Sequence, residues 1–64
     1  MYFIIYKDVS GQWRWNLNAA NNKVIAMSSE SYINKQDALH AINLVKSGAA
    51  GAKTYDKSQE KWVA

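Results

Sequence analysis

Apolar and polar residues alternate without a break through Gln12-Trp13-Arg14-Trp15-Asn16-Leu17-Asn18. A period of two is that of a β-strand with one buried face and one open face, so the pattern predicts a strand over Gln12 to Asn18. Tyr2 to Asp8 is rich in aromatic and β-branched residues and predicts a strand before it. Val9-Ser10-Gly11 suits a three-residue hairpin loop that ends on a glycine at positive φ. That loop puts Phe3 and Ile5 on the same face as Trp15 and Leu17, and it sets Tyr6 opposite Arg14. Asn21-Asn22 is a weaker form of the Asn-Gly hairpin signal, because Asn tolerates the left-handed region better than other side chains. A third strand is expected over Lys23 to Ser29. Val24 and Ala26 then join Trp15 and Leu17, while Ile25 and Met27 join Arg14 and Asn16 on the other face.

Beyond Tyr32 the period changes. Ala38, Ala41, Ile42, Val45 and Ala49, flanked by Leu39, form a stripe at helical spacing. The helix is expected from about Lys35 to Ser47. Asn34 is placed to cap it, Asp37 lies in the first turn and Lys46 in the last, and Gly48 is the expected stop. Ala49-Ala50-Gly51 is a loose connection, and Ala52 to Asp56 is expected to form a short fourth strand. Residues 57–64 show no clear pattern, although Trp62 and Val63 point to docking of this tail. The fold class is α+β: one antiparallel β-β-β-α-β domain over residues 1–64, its core about 2–56, with a single helix on one sheet face. One helix covers one side only. Ile4, Tyr6, Ile25 and Met27 fall on the other side beside Arg14, and so much apolar surface on a small sheet marks an interface or a ligand site.

Composition narrows the remaining choices. A chain of 64 residues buries only about 60% of its unfolded surface, and its core alone rarely supplies more than roughly 3–5 kcal/mol. With no Cys and one His, disulfides, thiolate metal sites and multi-histidine sites are excluded. Of the usual supports for a small domain, oligomerisation remains. Met1 to Tyr6 lacks the basic start and cleavage site of a signal peptide and is too short to cross a bilayer, so a cytoplasmic protein without membrane contact is expected. The net charge of +3 comes from eight cations scattered among five carboxylates, which is mainly a solubility pattern.

Candidate chemistry is sparse. Arg14 is close enough to Tyr6 in the expected register for its guanidinium to stack on the ring. With Asn16 beside them it forms an anion or nucleic-acid contact, or else a structural cover for the outer face or a dimer seam. Trp13 and Trp15 could serve as a base-stacking platform, but they share the face that the helix covers, which makes them core residues, Trp15 more so than Trp13. His40 falls opposite the apolar stripe with Gln36, Asn43 and Ser47, and no orienting carboxylate or nucleophile accompanies it. Ser28 to Tyr32 is a polar cluster before the helix that suits turn and capping chemistry. Asp8, Glu30, Asp37, Asp56 and Glu60 show no paired spacing, and no phosphate-cradling loop or nucleophile elbow is present. A non-enzymatic domain without cofactor or metal is therefore expected. It would work by binding a protein or small ligand through Tyr6, Arg14, Asn16, Ile25 and Met27, with weak nucleic-acid binding on the same face as the second reading. An enzyme would have to borrow its acid–base partner from a second subunit.

Phe3 to Asp8, Gly11, Trp13-Arg14-Trp15 with Leu17, Ala20-Asn21, Ile25-Ala26, Ser29-Glu30 with Tyr32, Lys35, Ala38, Ile42 and Val45-Lys46 resemble the YegP-like family of small bacterial domains of uncharacterised function. The similarity covers about residues 2–56. The family usually has Gly where this chain has Asn22 and Ser31. The resemblance implies three strands, a helix and a fourth strand. It also implies pairing of two units into a homodimer with a shared sheet, by edge pairing or by exchange of C-terminal strands. It supplies no activity.

Overall fold

The computed structural model describes residues 1–63. Three strands, β1 (Tyr2–Lys7), β2 (Trp13–Asn18) and β3 (Val24–Met27), form one antiparallel sheet with β2 in the centre. The β1–β2 register sets Phe3 against Leu17, Ile5 against Trp15 and Tyr6 against Arg14, as the alternation predicts. The connecting loop closes through Asp8 N–H on Gln12 O (2.8 Å) and Gly11 N–H on Asp8 O (3.0 Å). Gly11 takes φ +78°, a conformation that costs glycine nothing.

The second turn repeats this geometry. Ala19 N–H donates to Lys23 O and Asn22 N–H to Ala19 O, so the loop has three residues and Asn22, at φ +68°, takes the place that Gly11 takes in the first. Across it Ala26 faces Leu17 and Met27 faces Asn16, but Val24 faces Asn18, because the ladder shifts between Leu17 and Asn18. Ile25 has no partner in the register. β3 is shorter than the expected Lys23 to Ser29. The chain then stays along β2: Ser28 exchanges bonds with Trp15, its N–H donating to Trp15 O (2.9 Å) and its Oγ accepting from Trp15 N–H (3.1 Å). Tyr32 forms an isolated bridge with Trp13. The Ser28–Tyr32 cluster is thus stitching for the free side of β2.

Helix α1 (Lys35–Gly48) packs on β1 and β2. Its buried residues Ala38 and Ile42 meet Trp15, and Phe3, Ile5, Trp13, Leu17, Tyr32, Leu39 and Val45 pack around them. Its ends fall where the pattern puts them, but neither is made as expected. Asn34 occupies the cap position in extended conformation, but its side chain makes no capping bond; its backbone carbonyl accepts from Asp37 and Ala38 instead. α1 ends at Gly48, but without a left-handed glycine cap: Gly48 keeps right-handed φ and ψ, and the chain runs on into a 3₁₀ turn, Ala49–Gly51.

The fourth strand also differs. Of the expected Ala52 to Asp56, only Tyr55–Asp56 (β4) forms a strand, and it leaves the main sheet to pair with Lys61–Trp62 (β5) in the tail. Asp56 Oδ1 accepts from the backbone N–H of Ser58 and Gln59 and from the Ser58 hydroxyl, and Glu60 closes the turn at φ +53°. The Tyr55 and Trp62 rings meet edge to face at 5.1 Å. Among the described residues this hairpin packs on no other strand or helix. The molecule is correspondingly long, 40 × 26 × 22 Å, with a radius of gyration of 13.9 Å, against about 11 Å for a compact domain of this length. Its accessible surface, 5091 Å², exceeds by about 1,000 Å² that of a typical monomer of 7.2 kDa.

Candidate functional site

The face of the sheet away from the helix is uncovered. Tyr2, Ile4 and Tyr6 of β1 stand on it beside Asn16 and Arg14 of β2 and Met27 of β3. Tyr6 is 37% exposed, Ile25 53% and Met27 66%. The five residues expected to carry the site, Tyr6, Arg14, Asn16, Ile25 and Met27, are thus all accessible. The fold brings Tyr6 opposite Arg14 and Met27 opposite Asn16, whereas Ile25 lies at the irregularity of the edge strand. Tyr2 closes the lower end of this face, its hydroxyl donating to Asn22 Oδ1 at 2.6 Å.

The expected stacking of Arg14 on Tyr6 is replaced by an ion pair. Arg14 Nε donates to Asp8 Oδ2 at 2.8 Å. The other carboxylate oxygen of Asp8 accepts the backbone N–H of Ser10 (2.9 Å) and Gln12 (3.0 Å). One carboxylate therefore holds both the loop and the guanidinium. The Arg14 hydrogen bond and then the Gln12 N–H favour its charged form and hold its pKa below the ordinary 3.8. The sequence signal was an Asx-turn residue opening a three-residue loop, which spacing among the carboxylates does not reveal. With Nε directed at Asp8, Arg14 is a fixed, partly neutralised cation at the end of an apolar face.

Cations do lie over rings elsewhere. The ammonium groups of Lys7 and Lys35 lie 5.3 and 5.2 Å from the Trp13 ring centroid, and that of Lys46 lies 5.8 Å from Phe3. Trp13 is half-buried and Trp15 is buried in the core, so Trp15 offers no stacking platform. His40 is exposed on the helix. Among the described residues no three of His, Cys, Asp and Glu come together as metal ligands, and no helix is long and apolar enough to cross a membrane.

On the helix side a second feature was not foreseen. An apolar cavity of about 320 Å³ opens between the inner face of β1 and the C-terminal end of α1, lined by Met1, Phe3, Leu17, Val45, Ala49 and Ala50, with Lys46 the charged residue of its wall. It arises because the helix stripe runs on past Gly48 through alanines too small to fill the space above Phe3.

This fold and sequence have relatives. The chain is 52% identical over 50 residues to a UPF0339 protein of Neisseria meningitidis serogroup B, which covers 78% of this chain and 88% of the relative. It is 43% identical over 54 residues to a UPF0339 protein of Agrobacterium fabrum, covering 84% and 86%. The solution NMR structure of a protein from Haloferax volcanii superposes with a TM-score of 0.79 at 33% identity, covering 86% of this chain and 92% of that one. Residues 8–56 match the family described as a domain of unknown function, DUF1508. With that match spanning most of the chain and the UPF0339 relatives at this identity, the chain belongs to the DUF1508 family, the YegP-like domains of uncharacterised function.

Proposed function

We propose that this domain is a non-enzymatic binding module that works as a pair of copies. The observation that carries the reading is the uncovered outer face: Tyr2, Ile4, Tyr6 and Met27 stay exposed around a guanidinium fixed by Asp8. An apolar face with one oriented cation suits contact with a protein or an apolar small ligand bearing an acidic group. The monomer also has a small core, with Trp15, Ala38 and Ile42 its buried apolar residues. Both β1 and β3 are free edges, and β1 is six residues long, apolar through Tyr6 and free of Pro, which leaves a template for strand addition. Two copies joined at an edge share one sheet and present their outer faces as a single wider surface.

Sedimentation velocity at micromolar concentration tests the pairing. Twice the 7.2 kDa chain mass is expected, and a species of 7.2 kDa alone overturns it. The nature of the ligand is tested by amide-shift titration with short single-stranded and duplex oligonucleotides at two salt concentrations. No focused shift is expected, since Arg14 is already engaged. Saturable shifts at Tyr6, Arg14 and Asn16 that weaken with salt would replace the protein-contact reading with nucleic-acid binding.

A further inference from the structure

Trp13 gathers two cations that the sequence keeps far apart. Lys7 stands directly opposite it in the β1–β2 register. Tyr32 is tied to it by a reciprocal pair of backbone bonds, Trp13 N–H on Tyr32 O (2.7 Å) and Tyr32 N–H on Trp13 O (2.8 Å). That bridge brings the start of α1, and Lys35 with it, to the same ring. The two ammonium groups end 5.3 and 5.2 Å from the centroid of one indole. An aromatic face attracts a cation, but two cations held at one ring repel each other. No described carboxylate offsets that repulsion, since the one ion pair among the described residues joins Arg14 to Asp8. Lys46, by contrast, lies alone over Phe3. We propose that Lys7 and Lys35, with Trp13 as their floor, form a binding site for a phosphoryl dianion, either free phosphate or the head of a small phosphomonoester.

The chemistry of the pair selects the ligand. Both lysines are exposed, and Trp13 is half-buried against the core, so the ammonium groups meet solvent while the indole beneath them is fixed. Lysine binds phosphate as a point charge. Two lysines match a group that carries nearly two negative charges at neutral pH, spread over three acceptor oxygens. A carboxylate brings half that charge and leaves one ammonium unmatched. The ring contacts also hold both side chains near one another before a ligand arrives, which lowers the entropy lost on binding. The site lies on the helix side of the sheet, apart from the outer face, and it does not depend on pairing of two copies.

An NMR titration of the whole chain with inorganic phosphate, and in a second arm with glycerol 3-phosphate, tests the site at an ionic strength held constant with sodium chloride. Saturable shifts are expected at the Trp13 indole N–H and at the Lys7 and Lys35 amides. Earlier saturation by inorganic phosphate assigns the site to the free ion, and earlier saturation by glycerol 3-phosphate assigns it to esters. Shifts that rise without saturation in both arms, or that sodium chloride alone reproduces, would overturn the site and leave the lysines as a cover for the indole. Lys7→Gln and Lys35→Gln are each expected to weaken binding about tenfold, with the rest of the spectrum retained. Lys46→Gln removes the same charge from a ring with a single cation and is expected to leave binding unchanged. Equal losses from all three variants would overturn the site, because overall charge and not the pair at Trp13 would then hold the anion.

Discussion

Asp8 shows how much one side chain can organise in a domain this small. Its carboxylate accepts from two backbone N–H groups of its own loop and from the Arg14 guanidinium, and each bond is stronger when the carboxylate is charged. Its folded pKa is therefore lowered below the ordinary 3.8, with Arg14 the largest cause. A lowered carboxyl pKa stabilises the fold fully above the unfolded value, and that contribution fades as the pH falls below 3.8 through the folded pKa. Asp56 is lowered in the same way by the Ser58 hydroxyl and the Gln59 N–H. An NMR titration of the side-chain carboxyls is expected to give midpoints below 3.8 for both residues, and a midpoint at or above it for Asp8 would rule out the ion pair in solution. The glycine that ends this loop was legible because few other residues suit its backbone. The Asp8–Arg14 pair was not, because it depends on which way two side chains turn from neighbouring strands.

At the scale of elements, the long alternating strands were legible and the short ones were not. Every pair of the β1–β2 register follows from the alternation and a three-residue loop. β3 departs from its expected pairing at one step, where the ladder shifts between Leu17 and Asn18, and a shift of one position leaves no trace in a four-residue apolar run. The residues of the outer face were legible for the same reason as the strands, since they are the set left over when the helix-facing set is removed. The hairpin was missed because two-residue strands carry no period, although Asp56 followed by Lys57-Ser58 is a turn signal. Its weak point is Glu60, a non-glycine residue at φ +53°, which costs on the order of 1 kcal/mol. Glu60→Gly is expected to stabilise the hairpin by about that amount, read as slower amide exchange over residues 54–63. Unchanged exchange would show that the left-handed turn is not the strained point.

For the whole molecule, stability concentrates in one contact. Trp15 is the largest residue of a core whose other buried apolar members are Ala38 and Ile42, with Phe3 edge-on to it at 5.6 Å. Removing such a side chain costs about 3–5 kcal/mol, which is as much as a core of this size supplies. Trp15→Ala is expected to be largely unfolded without urea at micromolar concentration, and a cooperative urea transition near that of the parent would place the core elsewhere. The small core was legible in the length of the chain; the tail hairpin was not, because it has no pattern of its own. The order of the strands, β1-β2-β3 with each joined to the next by a three-residue loop, has a consequence in time. All pairing in the sheet is between neighbours along the chain, so the body can form quickly from local encounters. That step is first order, at a rate independent of how many chains are present. The pairing of two copies proposed above would be a meeting of two molecules and second order, so dilution would delay it without slowing the body.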